Sequence, residues 1–145
     1  MRMTVLSDYS LRVLMYLAVR RERLVTIQEI ATAYKISENH LMKVVHGLSK
    51  SGFVETVRGR GGGMRLRKPP EEITIGAVLR VSEDDFCLVE CFGENDTCRI
   101  TSVCKLKRVL HKALKAYLEE LDRWTIADIV ARPKQLLEAL AIDEA

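Results

Sequence analysis

Between residues 53 and 70 the chain reads FVETVRGRGGGMRLRKPP. Phe53, Val54 and Val57 lead in and Met64 and Leu66 lead out, so the spacing predicts strand, glycine-rich turn, strand. Pro69-Pro70 closes the hairpin and marks a boundary. Arg58, Arg60, Arg65, Arg67 and Lys68 surround Gly59 and Gly61–Gly63. A basic hairpin of this kind can touch phosphates or place arginine in a narrow minor groove. A nucleotide phosphate loop is a poor fit, because GRGGGM lacks the Gly-Lys-Ser/Thr ending and a following helix.

What precedes the hairpin is helical. SDYSLRVLMYLAVRR sets Leu11, Leu14, Met15, Ala18 and Val19 at helical spacing, with Ser7 or Asp8 available as its N-cap. Thr26 then precedes IQEIATAY, with Glu29 at the capping-box position and Ile27, Ile30, Ala31 and Tyr34 facing a core. After the short turn KIS, Ser37 caps ENHLMKVVHGLSKSG, whose buried stripe is Leu41, Val44, Val45 and Leu48. Gly52 ends it. Two short helices joined by a tight turn fit a helix-turn-helix, whose second helix enters the DNA major groove. Its polar face offers Asn39, His40, Lys43 and His46 for base edges, and Ser37 or a helix N-terminal amide for phosphate. A helical hairpin with a solvated face fits the same pattern. The basic wing that follows tilts the reading toward DNA.

Charge agrees with this division. Residues 1–70 hold 13 Lys and Arg against 5 Asp and Glu, a balance of +8, while residues 71–145 hold 10 against 15, a balance of −5. A basic first half suggests a polyanion partner, although a solvated basic surface gives the same count. The length of 145 residues suits one medium domain or two small units, here 1–70 and 71–145. Arg12 and Arg20 interrupt the best apolar run, so no bilayer span is expected. The start lacks a signal peptide's apolar core. A cytoplasmic location is therefore expected, where structural disulfides are rare.

The second half begins with a short helix from about Thr74, apolar at Ile75, Val78, Leu79 and Val81. From about Thr101 a long helix carries Val103, Leu106, Leu110, Ala113, Tyr117, Leu121 and Trp124 in steps of three and four, a seam suited to helix pairing as well as to packing on its own domain. Thr125 caps another short helix and Pro133 starts a last one. Between the first two of these helices lies DDFCLVECFGENDTCRITSVCKLK, which holds all four cysteines at Cys87-x3-Cys91-x6-Cys98-x5-Cys104. Structural zinc sites favour close C-x2-4-C pairs, of which there is one, and the thioredoxin C-x-x-C is absent. Iron–sulfur clusters tolerate irregular loop spacing. Spacing by itself leaves iron–sulfur, zinc and redox thiols open.

The segments SDYSLRVLMYLA, ISENHLMKVVHGLSKSGFV, RGRGGGMRL and LVECF…C…VCKLK…LDRWTIADIV together resemble the winged-helix iron–sulfur repressors of bacteria, and among them the nitric-oxide-sensing type. The match spans residues 1–130. The resemblance implies a mainly α fold with a small β-wing, a winged helix-turn-helix plus a long C-terminal dimerisation helix. It also implies a [4Fe–4S] cluster, or alternatively [2Fe–2S], bound by Cys91, Cys98 and Cys104, with Cys87 a spectator. The x6 gap is wider than the x5 also seen, which lengthens the loop and still permits ligation. A sister type that senses iron–sulfur supply uses a histidine three residues after the last cysteine; here that position is Lys107, a poor ligand while protonated. The nitric-oxide-sensing type can use an aspartate near the N-terminus of the other subunit, a position matched by Asp8, which is equally a candidate helix cap. Carboxylate is a harder, weaker ligand than thiolate and leaves one iron open to a diatomic molecule.

The expectation is thus a homodimeric repressor binding double-stranded operator DNA through Ser37, Asn39, His40, Lys43, Arg58, Arg60, Gly61 and Arg65. Nitric oxide is its signal, no membrane is involved, and there is no catalytic site. Rival readings are a regulator of the same fold answering to iron, redox or cluster status, and a zinc-stabilised interaction module. A thiol-redox enzyme ranks below both for want of C-x-x-C or a catalytic partner. His111 reads as a surface residue of the long helix.

Overall fold

A computed structural model describes residues 1–141; the last four positions of the 71–145 region lie outside the described residues. The chain is mostly helical. Helix α1 spans Val5–Val19, α2 Ile27–Tyr34 and α3 Glu38–Lys50. Strands β1 (Val54–Val57) and β2 (Gly63–Leu66) follow, then α4 (Ile75–Ser82), α5 (Lys105–Asp122), α6 (Ile126–Ile129) and α7 (Pro133–Ala139). No helix among the described residues is long and apolar enough to cross a membrane.

Helix starts follow short polar caps. Thr26, Ser37 and Thr74 accept the backbone N–H of Glu29, His40 and Ala77, and Thr125 with Asp128 forms a complete capping box, each satisfying donors that a helix leaves orphaned. The α1 cap differs from expectation. Thr4 holds that position and accepts the Ser7 N–H, so neither Ser7 nor Asp8 caps the helix. Thr4 is chosen from far along the chain, because its N–H and hydroxyl both donate to Glu83 Oε1, at 2.9 and 3.0 Å. Desolvation is the largest single influence on the Glu83 carboxyl and pushes it up, but hydrogen bonding from Ser7 and then from Thr4 holds it below its ordinary value. Ser7 is fully buried and its hydroxyl meets that of Ser82 at 2.7 Å. Glu29 likewise departs from the box expected of it: instead of turning back to Thr26 it accepts the Tyr16 hydroxyl at 2.8 Å and pairs with Arg23. The Arg23 hydrogen bond is the main reason its carboxyl lies low.

The two strands form an antiparallel hairpin with Val54 opposite Leu66 and Val57 opposite Gly63. Met64 also exchanges both backbone hydrogen bonds with Val25, at 2.8 and 2.9 Å, which anchors the wing to the segment before α2. The glycine run has a local cause. Gly61 sits at φ +75°, and a Cβ on Gly62 would fall 2.2 Å from the Val57 carbonyl oxygen, so the turn closes only without side chains.

One core runs through both halves of the chain. Val13, Leu14, Tyr16 and Leu17 of α1 pack with Ile30, Leu41, Leu48 and Met64, and also with Ile73, Val78, Leu79 and Ile126. Because α1 packs against α3 and β2 as well as α4 and α6, its buried surface is wider than a single stripe. It takes in Val13, Tyr16 and Leu17, whereas the expected Leu11, Met15 and Val19 lie at the margin. The expected stripe of α3 is buried in full. Helix α5 begins at Lys105 after a 3-10 turn over Thr101–Val103, later than the expected Thr101. It has no fully buried residue. Leu110, Leu114, Leu118 and Leu121 are half-buried, while Val103, Leu106, Val109, Tyr117 and Trp124 stand exposed.

Candidate nucleic-acid interface and cysteine loop

The α2–turn–α3 unit is held by its own contacts. Lys35 adopts the left-handed conformation at the end of α2, and the Ile36 N–H closes onto Ala31 O at 3.0 Å. Ile36 is buried beneath the turn. This fixes the angle at which α3 leaves, with Asn39, His40, Lys43 and His46 exposed on the side opposite Leu41, Val44, Val45 and Leu48. Ser37 spends its hydroxyl oxygen on the His40 N–H, at 3.2 Å. The His40 ring lies 6.2 Å from that of Tyr9 on α1. Met42 was not among the residues singled out from sequence, yet it is the large apolar side chain exposed on α3.

On the wing, Arg58, Arg60, Gly61 and Arg65 are all exposed. Arg65 donates through Nε to Glu55 Oε2 at 3.1 Å, its cross-strand neighbour, and gives up part of its charge to that pair. Arg58 and Arg60 have no carboxylate within ion-pair distance among the described residues and present their full charge beside the turn. Lys68 lies over the Phe53 ring at 5.4 Å. Two surfaces of one unit are therefore basic or hydrogen-bonding and outward-facing: the polar side of α3 and the wing tip.

The cysteine loop is built differently. None of the described residues from 83 to 104 is fully buried. Its order comes from local polar bonds: Asp85 Oδ1 accepts the Cys87 N–H at 2.8 Å, Asp96 Oδ1 accepts the Cys98 N–H at 2.9 Å, and Thr101 donates to Cys98 O at 3.1 Å. One apolar contact crosses to α5, where Phe92 stacks on His111 with centroids 4.2 Å apart and planes 23° apart. His111, exposed on α5 as expected of a surface residue, thus also pins the loop.

All four thiols are free. Cys87 is exposed; desolvation, then the charge and hydrogen bond of Asp85, push its thiol up and away from thiolate. Cys91, Cys98 and Cys104 are half-buried. Cys104 is the N-cap of α5, and its Sγ accepts the Lys107 N–H at 3.4 Å. A backbone N–H at the start of α5 thus already faces this sulfur. Three thiols on one short loop, one of them so placed, match the donor chemistry of an iron–sulfur ligand set. Within the single chain, though, no three His, Cys, Asp or Glu among the described residues are gathered closely enough to hold a metal ion. Asp8 lies on α1, where Arg12 grips it twice, Nε to Oδ1 at 3.2 Å and Nη2 to Oδ2 at 2.9 Å. The Arg12 guanidinium lies over the rings of Tyr9 and Tyr34, at 5.5 and 5.9 Å. With Thr4 as the cap, that carboxylate has no capping duty.

Comparison with known proteins agrees with this geometry. The Rrf2 family model, described as iron-dependent transcriptional regulators, matches residues 3–132. The HTH-type transcriptional regulator NsrR of Bacillus licheniformis is 52% identical over 143 residues, covering 97% of this chain and 100% of that one. Among solved structures, T. potens IscR superposes with a TM-score of 0.73 at 28% identity, covering 96% of this chain and 90% of that one. CymR, the global cysteine regulator of B. subtilis, gives 0.74 at 28% identity over 90% of this chain and 97% of that one. The winged-helix reading of the fold follows from these neighbours, and the relatives are regulators of transcription rather than enzymes. The chain belongs to the Rrf2 family of DNA-binding transcriptional regulators, and within it to the NsrR type.

Proposed function

We propose that the protein is a homodimeric repressor of the cytoplasm that senses nitric oxide through an iron–sulfur cluster. The ligand set is Cys91, Cys98 and Cys104, completed by Asp8 of the partner subunit; a [4Fe–4S] cluster is favoured over [2Fe–2S]. When bound, such a cluster offers iron to which nitric oxide binds. The chain's own residues do the rest. Ser37 and the N-terminal amides of α3 seat a phosphate, and Asn39, His40 and Lys43 face the major-groove edges. Arg58, Arg60, Gly61 and Arg65 bring the wing to the minor groove and its phosphates.

The observation that carries this reading is the contrast in the cysteine loop. It presents three half-buried thiols, one at a helix N-cap, on a segment with no fully buried residue. A loop of that kind takes its final shape from what it binds. The exposed Val103, Leu106, Val109 and Tyr117 beside it supply an apolar seam for a second copy. Kinship to NsrR favours nitric oxide as the signal. The fold leaves the signal open, since it also serves a cysteine regulator. Zinc is disfavoured on spacing, because Cys87 and Cys91 form the one close C-x2-4-C pair. Anaerobic purification followed by iron and sulfide analysis tests the proposal. Iron and sulfide in stoichiometric amounts with broad visible absorption are expected; a colourless protein holding one zinc per chain overturns it.

A further inference from the structure

The exposed side of α3 is polar except at one place. Met42 is 56% exposed, one turn from Asn39 and next to Lys43, while every other large apolar side chain of the helix lies in the core. More than half exposed on the outward side of a helix whose neighbours there are polar, its flexible thioether is free to meet an apolar group on a bound partner. Duplex DNA offers one apolar feature in the major groove, the C5 methyl of thymine. Methionine is unbranched and flexible, so it can reach a methyl beside a base already engaged by Asn39 or Lys43.

We infer that Met42 is a specificity-determining residue that reads a thymine methyl in the operator. Asn39 and Lys43 distinguish bases by hydrogen bonding; Met42 adds an apolar contact that separates thymine from cytosine and from uracil. The inference rests on DNA binding alone and holds whichever signal the cysteine loop detects.

Thymine-to-uracil scanning tests it, because that exchange deletes one methyl and keeps every hydrogen-bonding group. The probe is the duplex that the full-length wild-type chain enriches from a random pool. Each thymine is replaced singly, and binding is measured for wild type, Met42→Ala and Met42→Gln. For wild type at least one replacement should weaken binding about fourfold, the weight of one buried methyl. In Met42→Ala and Met42→Gln the penalty at that position should vanish while any penalty elsewhere persists. Because Met42 is surface-exposed, both variants should melt as wild type does. The inference is overturned if no thymine matters to wild type. It is equally overturned if the variants keep the wild-type profile at every position.

Discussion

The α1–α3 and wing unit and the cysteine loop are opposite kinds of structure in one small chain. The first is tied down from several sides: Tyr16, Leu14, Ile30, Leu41 and Leu48 are fully buried, the turn before α3 is pinned by Ile36, and the wing is anchored at Val25. The second has no core of its own. Its order rests on Phe86 lying against the main core, on two aspartates that hold the N–H groups of the cysteines following them and on a ring stack against His111. Segments with few buried contacts and short-range hydrogen bonds lie at the low-stability end of a protein, where ligand-dependent change is cheapest. Under the proposed function, the difference teaches how a regulator can keep its reading head rigid while leaving its receptor responsive.

Ligand removal should give the largest effect. Cys91→Ala, Cys98→Ala and Cys104→Ala should each abolish stable iron and sulfide binding, read by metal analysis, whereas Cys87→Ala should keep it. The comparison breaks if Cys87→Ala alone loses the iron. Next comes the core. Leu14→Ala should cost about 2–5 kcal/mol in denaturant unfolding, against no more than about 0.5 kcal/mol for Ile100→Ala in the loop. Similar costs at both sites would show that the loop is as well packed as the core.

Much of the first unit could be read from residues alone. Caps at Thr26 and Ser37 and the α3 stripe follow from local chemistry, as does the Thr125 cap later in the chain, and the wing follows from its glycines and flanking apolar residues. The α1 cap could not be read so. Thr4, Ser7 and Asp8 are all competent, and the choice is made by Glu83, remote in sequence. The buried face of α1 was underestimated for a similar reason, since a helix covered from two sides does not show a single stripe. For the candidate site, the sequence offered four closely placed cysteines but not the path of the loop, which depends on Asp85, Asp96 and the Phe92–His111 contact. Met42 was passed over because an isolated apolar residue in a helix reads as core until its direction is known.

The smallest effects sharpen the roles at the start of α1. Thr4→Ala should cost about 1 kcal/mol in thermal or denaturant unfolding, the usual weight of an N-cap. Asp8→Ala loses only an exposed i,i+4 ion pair and should cost about 0.3–0.5 kcal/mol. Its visible spectrum in the iron-loaded protein should nonetheless change, while that of Thr4→Ala should not. An unaltered Asp8→Ala spectrum removes Asp8 from the ligand set.

The most direct test of the whole account is DNA affinity of the anaerobically purified, iron-loaded chain as nitric oxide is added. Wild type should bind its enriched duplex in preference to random duplex at physiological salt and release it as nitric oxide accumulates, while Cys98→Ala should show no response to the gas. Binding that persists unchanged after the visible absorption has been lost to nitric oxide would contradict the account.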